Sequence, residues 1–205
     1  MAASLIRVAI VDDHPVVRDG TAALLVGQPG IEVVGTAASV DAAIELVTST
    51  AVDVLLLDIR LGSESGLRFL QGDLASAPRR PAVVVLSAYD YPQYADAALR
   101  LGAAGYVLKT APIADLMDAI RRAAAGGLAF GIRPGDAARL TGREHDVVRL
   151  VVDGRSNDEI AAALGIGART VESHLARLFE RFGIASRTEL ATRALREGWL
   201  EVPPG

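Results

Sequence analysis

The chain contains no cysteine, which excludes disulfides and thiolate metal sites alike. It holds one lysine, Lys109, against twenty arginines. An ammonium is a compact point charge and a guanidinium a flat fork. A single lysine in an arginine-rich chain is therefore either an accident of composition or a mark of a place that wants the smaller cation. No apolar run is long enough to cross a bilayer, and the opening Met1–Arg7 lacks the apolar core of a signal peptide. These absences predict a cytoplasmic protein with no membrane partner. A strongly basic segment is missing too: residues 1–125 hold fourteen acids and ten bases, and residues 126–205 hold eleven of each. Charge alone therefore does not announce nucleic acid.

What is present is a 205-residue chain, 51% hydrophobic and 22% charged, with enough apolar residues to bury one large or two small cores. Val54-Leu55-Leu56-Leu57, bounded by Asp53 and Asp58, reads as a short strand buried on both faces. Four similar strands flank it: Arg7–Val11, Ile31–Thr36, Pro81–Ser87 and Gly105–Lys109. Helical spacing fills the intervals, with Pro15, Ser39, Gly66, Pro92 and Pro112 at helix starts and glycines near the ends. Five strand–helix alternations predict an α/β fold, a five-stranded doubly wound parallel sheet over residues 1–125. Residues 126–140 carry Gly, Pro and Asp with little periodicity and read as a linker.

Beyond it the strand signals stop. Thr141-Gly142-Arg143-Glu144, Ser156-Asn157-Asp158-Glu159 and Ser186-Arg187-Thr188-Glu189 each place a hydroxyl at an N-cap and a Glu three residues on, so each predicts a helix start. A fourth helix fits between Gly167 and Phe182. The expectation for 141–205 is a small all-α four-helix domain. Ile160, Ala161, Leu164 and Ile166, a Gly165-Ile166-Gly167 turn, and a helix with Val171, Leu175, Leu178 and Phe182 inward have helix-turn-helix spacing. Arg169, Glu172, Ser173, Ala176 and Glu180 then fall on the opposite face. Arg169, Arg177, Arg181 and Arg187 are candidates for phosphate contacts, and His174 for a phosphate contact or a packed position.

Parallel strands deliver their C-terminal ends to one edge, where ligands bind in open α/β sheets. Here that edge receives Asp12 and Asp13 from the first strand, Asp58 from the third, Ser87 from the fourth and Lys109 from the fifth. Each residue alone has a plainer reading as a cap, a turn former or a solvated charge. Together they suit phosphoryl chemistry. Three close carboxylates repel and call for a hard divalent cation such as Mg²⁺. Lys109 and Ser87 suit phosphate oxygens, and Asp58 suits the role of a nucleophile that forms an acyl phosphate.

Asp12-Asp13, Asp58, Ser87-Ala88, Tyr106 and Lys109 together resemble the receiver domain of bacterial two-component response regulators, over residues 5–125. The resemblance implies phosphorylation of Asp58 by a sensor histidine kinase. It also implies Mg²⁺ held by Asp13, Asp58 and the backbone carbonyl of Arg60, with Asp12 helping through water, and a switch pair of Ser87 and Tyr106. Leu61-Gly62-Ser63 departs from the Met-Pro-Gly-like turn usual after the phosphorylated Asp, and the missing Pro predicts a looser loop. Residues 140–200 resemble a LuxR-type DNA-binding domain, on Leu140–Glu144, Ser156–Ala161, Arg169-Thr170-Val171, His174 and Ser186–Glu189. This implies a recognition helix in the major groove of promoter DNA, two half-sites, and a homodimer. DNA contacts are expected from Asn157, Arg169, Thr170, Glu172, Ser173, His174, Ala176, Arg177, Arg181 and Arg187. Glu172 and Ala176 furnish the groove face thinly. The whole is similar to a NarL/FixJ-type response regulator, not an enzyme. Two other readings stay open: a regulator that binds DNA without phosphate and whose receiver acts as a dimer interface, and an Asp-nucleophile phosphatase. The second is disfavoured by Arg60, which stands where such enzymes place an acid/base Asp.

Overall fold

The computed structural model describes residues 5–62, 64–72, 74, 79–131 and 140–200. The chain divides into two compact units, Met1–Gly135 and Asp136–Gly205.

In the first unit, β1 (Ile6–Val11), β2 (Ile31–Ala37) and β3 (Val54–Asp58) alternate with α1 (Pro15–Leu25) and α2 (Val40–Ser49). A two-residue hairpin, β4 (Arg60–Leu61) with β5 (Glu64–Ser65), leads into α3 (Gly66–Gln71). Then come β6 (Ala82–Ser87), α4 (Pro92–Arg100), β7 (Gly105–Leu108), α5 (Ile113–Ala124) and β8 (Ala129–Phe130). The order across the parallel sheet is β2-β1-β3-β6-β7-β8. Successive connections run outward in opposite directions from β1 and β3, so a crevice opens between the C-terminal ends of those two strands.

Alternation of side chains decides the layers. Val8, Ile10, Val54, Leu56, Val84, Leu86 and Val107 bury one sheet face against Leu25 of α1 and Leu116, Met117, Ile120 and Ala123 of α5. Ala9, Val11, Leu55, Leu57, Val83 and Val85 are equally buried and point the other way. Right-handed crossovers leave that face to α2, α3 and α4.

The sheet has six strands where the sequence pattern predicts five. Ala129 and Phe130, inside the expected 126–140 linker, pair with Gly105 and Tyr106. Two residues are too few to show a period of two, so no pattern marks them. Residues 132–139 of that linker and Ser63 lie outside the described residues, and the helix expected over 66–75 ends earlier, at Gln71 with Gly72 as its C-cap.

The second unit packs α6 (Gly142–Val152), α7 (Asn157–Leu164), α8 (Ala168–Phe182) and α9 (Arg187–Arg196) around Val147, Val148, Val151, Ile160, Val171, Leu175, Leu178, Leu190 and Trp199. Thr141 and Ser156 form full reciprocal capping boxes with Glu144 and Glu159. The third box is half formed: Ser186 caps Glu189, but Glu189 accepts from the Ala185 N–H at 2.8 Å. Gly165 and Gly183, both left-handed at φ 64° and 62°, end α7 and α8 where a side chain would be strained. Phe182 lies 4.3 Å from Trp199, ring centre to ring centre, and seals the base of the unit.

Candidate functional site

Asp12 and Asp13 leave β1 and Asp58 ends β3, so the two adjacent strands put three carboxylates at the crevice. Asp12 and Asp58 are buried. Lys109 follows β7, its N–H bonded to the Ser87 carbonyl at 2.7 Å. Its Nζ reaches across the sheet edge to lie 2.7 Å from both Asp12 Oδ2 and Asp58 Oδ2. The chain's single lysine is thus the cation of a buried pocket. Burial pushes the Asp58 pKa up, and the bond and charge of Lys109 offset part of that rise. For Lys109, burial works downward and the two carboxylates outweigh it, so the ammonium is held charged above its ordinary range.

Asp13 is held on both sides. Its Oδ2 accepts from the Gly62 N–H at 2.9 Å, and its Oδ1 lies 2.9 Å from His14 Nδ1. Asp12 Oδ1 accepts from the His14 N–H at 2.9 Å. Two buried oxygens, Asp12 Oδ2 beside Lys109 and Asp13 Oδ1 beside His14, complete no hydrogen bond. Donor atoms of Asp12, Asp13, His14 and Asp58 all lie within 4.8 Å of one another. Such an oxygen-rich, net-negative donor set fits a hard divalent cation.

The loop after Asp58 is pinned where the missing Pro predicts looseness. The β4–β5 pairing, the Gly62 bond to Asp13 and a 2.7 Å bond from the Gly66 N–H to the Ile59 carbonyl hold it. Arg60, at the start of β4, exposes its side chain and lays its guanidinium 5.8 Å over the Tyr89 ring.

Ser87 and Tyr106 meet at one backbone unit. Ser87 Oγ accepts from the Tyr89 N–H at 2.9 Å, and the Tyr106 hydroxyl donates to the Tyr89 carbonyl at 2.8 Å. Tyr106 is fully buried.

In the second unit, α8 buries Val171, Leu175 and Leu178 and exposes Arg169, Thr170, Glu172, Ser173, Ala176 and Arg177 on one face. His174 and Asn157 are half-buried. Arg181 and Arg187, two of the arginines expected to contact phosphates, also have partners in the fold. Arg181 sits 3.1 Å from Glu144 Oε2 and 4.7 Å over the Phe182 ring. Arg187 donates to Asn157 Oδ1 at 3.0 Å and to the Arg155 carbonyl, tying α9 to the start of α7. Charge is visible in a sequence and its partner is not.

The residues that sequence reasoning missed are His14, Gly62 and Tyr89. His14 had a signal, a titratable side chain next to two acids. Gly62 and Tyr89 act through backbone atoms, which leave no residue-type signal.

Residues 8–121 match the response regulator receiver domain, and residues 138–194 match the bacterial regulatory proteins of the luxR family. The chain is 36% identical over 203 residues to the transcriptional regulatory protein MctR of Rhizobium johnstonii, covering 94% of each. Among solved structures it is similar to RcsB dimers bound to two parallel DNAs, with a TM-score of 0.69, 25% identity, and 95% and 99% of the two chains covered. It is equally similar, at TM-score 0.69 and 25% identity over 91% and 96% of the chains, to RcsB of Salmonella enterica serovar Typhimurium bound to promoter P1flhDC with the phosphomimetic BeF3⁻. With a receiver sheet in front of a LuxR-type helical domain, the chain belongs to the two-component response regulators of the NarL/FixJ type.

Proposed function

We propose that Asp58 is the phosphoacceptor and that phosphorylation by a sensor histidine kinase controls promoter binding by α8. The observation that carries this reading is Lys109, held 2.7 Å from carboxylates of two adjacent strands in the crevice. An Asp58 oxygen attacks the phosphorus of a phosphohistidine, the P–N bond breaks toward the imidazole, and an acyl phosphate remains. Lys109 stays beside Asp58 and pairs with an incoming phosphoryl oxygen. Ser87 turns its hydroxyl from Tyr89 toward the phosphoryl group, which frees Tyr106 to change its own contact. Asp12, Asp13, Asp58 and the Arg60 carbonyl would hold Mg²⁺, which when bound neutralises phosphoryl charge. Two buried oxygens without a hydrogen bond support that fit.

Residues 1–125 form the receiver, 126–140 the connection and 141–205 the DNA-binding part, with β8 belonging to the receiver sheet. Arg169, Thr170, Glu172, Ser173, His174, Ala176 and Arg177 face the major groove, flanked by Asn157. A homodimer reads two half-sites, as the RcsB dimers on DNA suggest for a similar chain. Arg60 offers no acid/base for turnover, so the protein acts as a switch and not as a phosphatase. No described helix is long and apolar enough to cross a membrane, in keeping with action in the cytoplasm. Footprinting tests the reading. Phosphorylated wild type is expected to protect its promoter at lower concentration than Asp58→Ala. Equal affinity in the two refutes control by phosphate.

A further inference from the structure

His14 occupies the N-cap of α1 but makes no side-chain cap bond. Ser, Thr, Asp or Asn would serve a helix start better, so the imidazole is not there for the helix. Its side chain is 65% exposed at the mouth of the pocket, yet Nδ1 turns inward to 2.9 Å from Asp13 Oδ1 and 3.5 Å from Asp12 Oδ1. Adjacent ligands of an octahedral cation with bonds of about 2.1 Å stand roughly 3.0 Å apart, and opposite ligands about 4.2 Å. The 2.9 Å spacing is that of two neighbouring ligands, and the 4.8 Å limit on the whole set needs only a small contraction. Asp13 Oδ1 is also one of the two buried oxygens without a hydrogen bond, while Oδ2 is occupied by Gly62.

We infer that His14 is a nitrogen ligand of the divalent cation held by Asp12, Asp13 and Asp58, and that it biases the pocket toward Mn²⁺ and later transition metals relative to Mg²⁺. The chemistry follows from the donor. Mg²⁺ favours oxygen and keeps its waters, whereas affinity for a nitrogen donor rises from Mn²⁺ toward the later first-row ions. An exposed ring can swing onto a cation that accepts nitrogen and away from one that does not. The pocket then works with Mg²⁺ on its oxygens alone and gains a nitrogen ligand when a transition metal is present. This inference rests on the reading of the pocket as a divalent-cation site.

The test uses the untagged full-length chain at about pH 8, where an ordinary imidazole is neutral. Mn²⁺ and Mg²⁺ are titrated separately by calorimetry, and the Mn²⁺ complex is examined by pulsed electron paramagnetic resonance for ¹⁴N coupling. His14→Ala and His14→Asn are compared with wild type, the second because Asn restores an N-cap and preserves α1. Wild type is expected to show directly bound nitrogen. Both variants are expected to lose it, with the Mn²⁺-over-Mg²⁺ affinity ratio falling about tenfold and Mg²⁺ affinity nearly unchanged. Mn²⁺ bound to wild type without nitrogen coupling, or coupling that survives in His14→Ala, overturns the role of His14 and leaves the pocket standing. Failure of wild type to bind either ion removes the cation site itself, and His14's role with it.

Discussion

The Tyr106 hydroxyl donates to the Tyr89 backbone carbonyl at 2.8 Å, while Ser87 Oγ accepts from the N–H of the same residue. Ser87 at the end of β6 and Tyr106 in β7 therefore bind the two backbone groups of one residue at the start of the β6–α4 connection. Burial raises the Tyr106 pKa, so the hydroxyl remains a donor across the physiological range. Tyr106→Phe leaves the carbonyl with only the 3.3 Å bond from Ser87. The expected cost is about 1 kcal/mol in urea unfolding of the N-terminal unit, with faster amide exchange around Tyr89. An unchanged midpoint together with unchanged exchange would show that the bond holds nothing in place.

Gly66 is the tightest glycine of the receiver. A Cβ there would stand 2.0 Å from the Asp58 carbonyl oxygen, a backbone atom that cannot step aside. Gly66→Ala is expected to shift the end of β3, destabilise the unit by about 1–3 kcal/mol, and sharply reduce phosphorylation. Normal stability with full phosphorylation would mean that the loop yields more easily than its bonds to Ile59 and Asp13 suggest.

At the opposite edge of the sheet, Arg7 grips Asp53 through Nε at 3.0 Å and a second nitrogen at 2.7 Å. The Arg7 bond, assisted by its charge, holds the Asp53 pKa down to about 2 against the opposing effect of burial. A depressed carboxyl contributes stability above its unfolded pKa of about 4 and loses it as pH falls through the folded value. Asp53→Asn is expected to cost about 1 kcal/mol at neutral pH after allowance for solvent screening. That difference should shrink between about pH 4 and pH 2. A constant difference down to acid pH would assign the effect to packing instead.

The arginines of the helical unit separate into two groups. Arg177 is exposed on the outward face of α8, whereas Arg181 pairs with Glu144. Arg177→Ala should reduce the slope of log affinity against log salt by about 0.9. Arg181→Ala should leave that slope alone and lower thermal stability by about 0.5–1 kcal/mol. The reverse pattern would put Arg181 on the DNA.

Legibility in the sequence followed a physical line. Asp12, Asp13, Asp58, Ser87 and Lys109 were readable because each follows an apolar run long enough to be a buried strand, and parallel strands share one functional edge. Thr141 and Ser156 were readable because a capping box is local chemistry. The short β8 was not, because two residues carry no period. Nor was the β4–β5 hairpin, because backbone pairs and the Gly62 N–H make it, and neither depends on side-chain type. The fold partners of Arg181 and Arg187 were not readable either, because Glu144 and Asn157 lie 37 and 30 residues away.

Direct phosphorylation tests the central claim most simply. The purified chain is incubated with acetyl phosphate and Mg²⁺, then analysed by intact mass and peptide mapping. One phosphoryl group is expected on Asp58, absent in Asp58→Asn. An unmodified wild type that is folded, or a phosphoryl group mapped to any other residue, would contradict the assignment of this crevice as the switch.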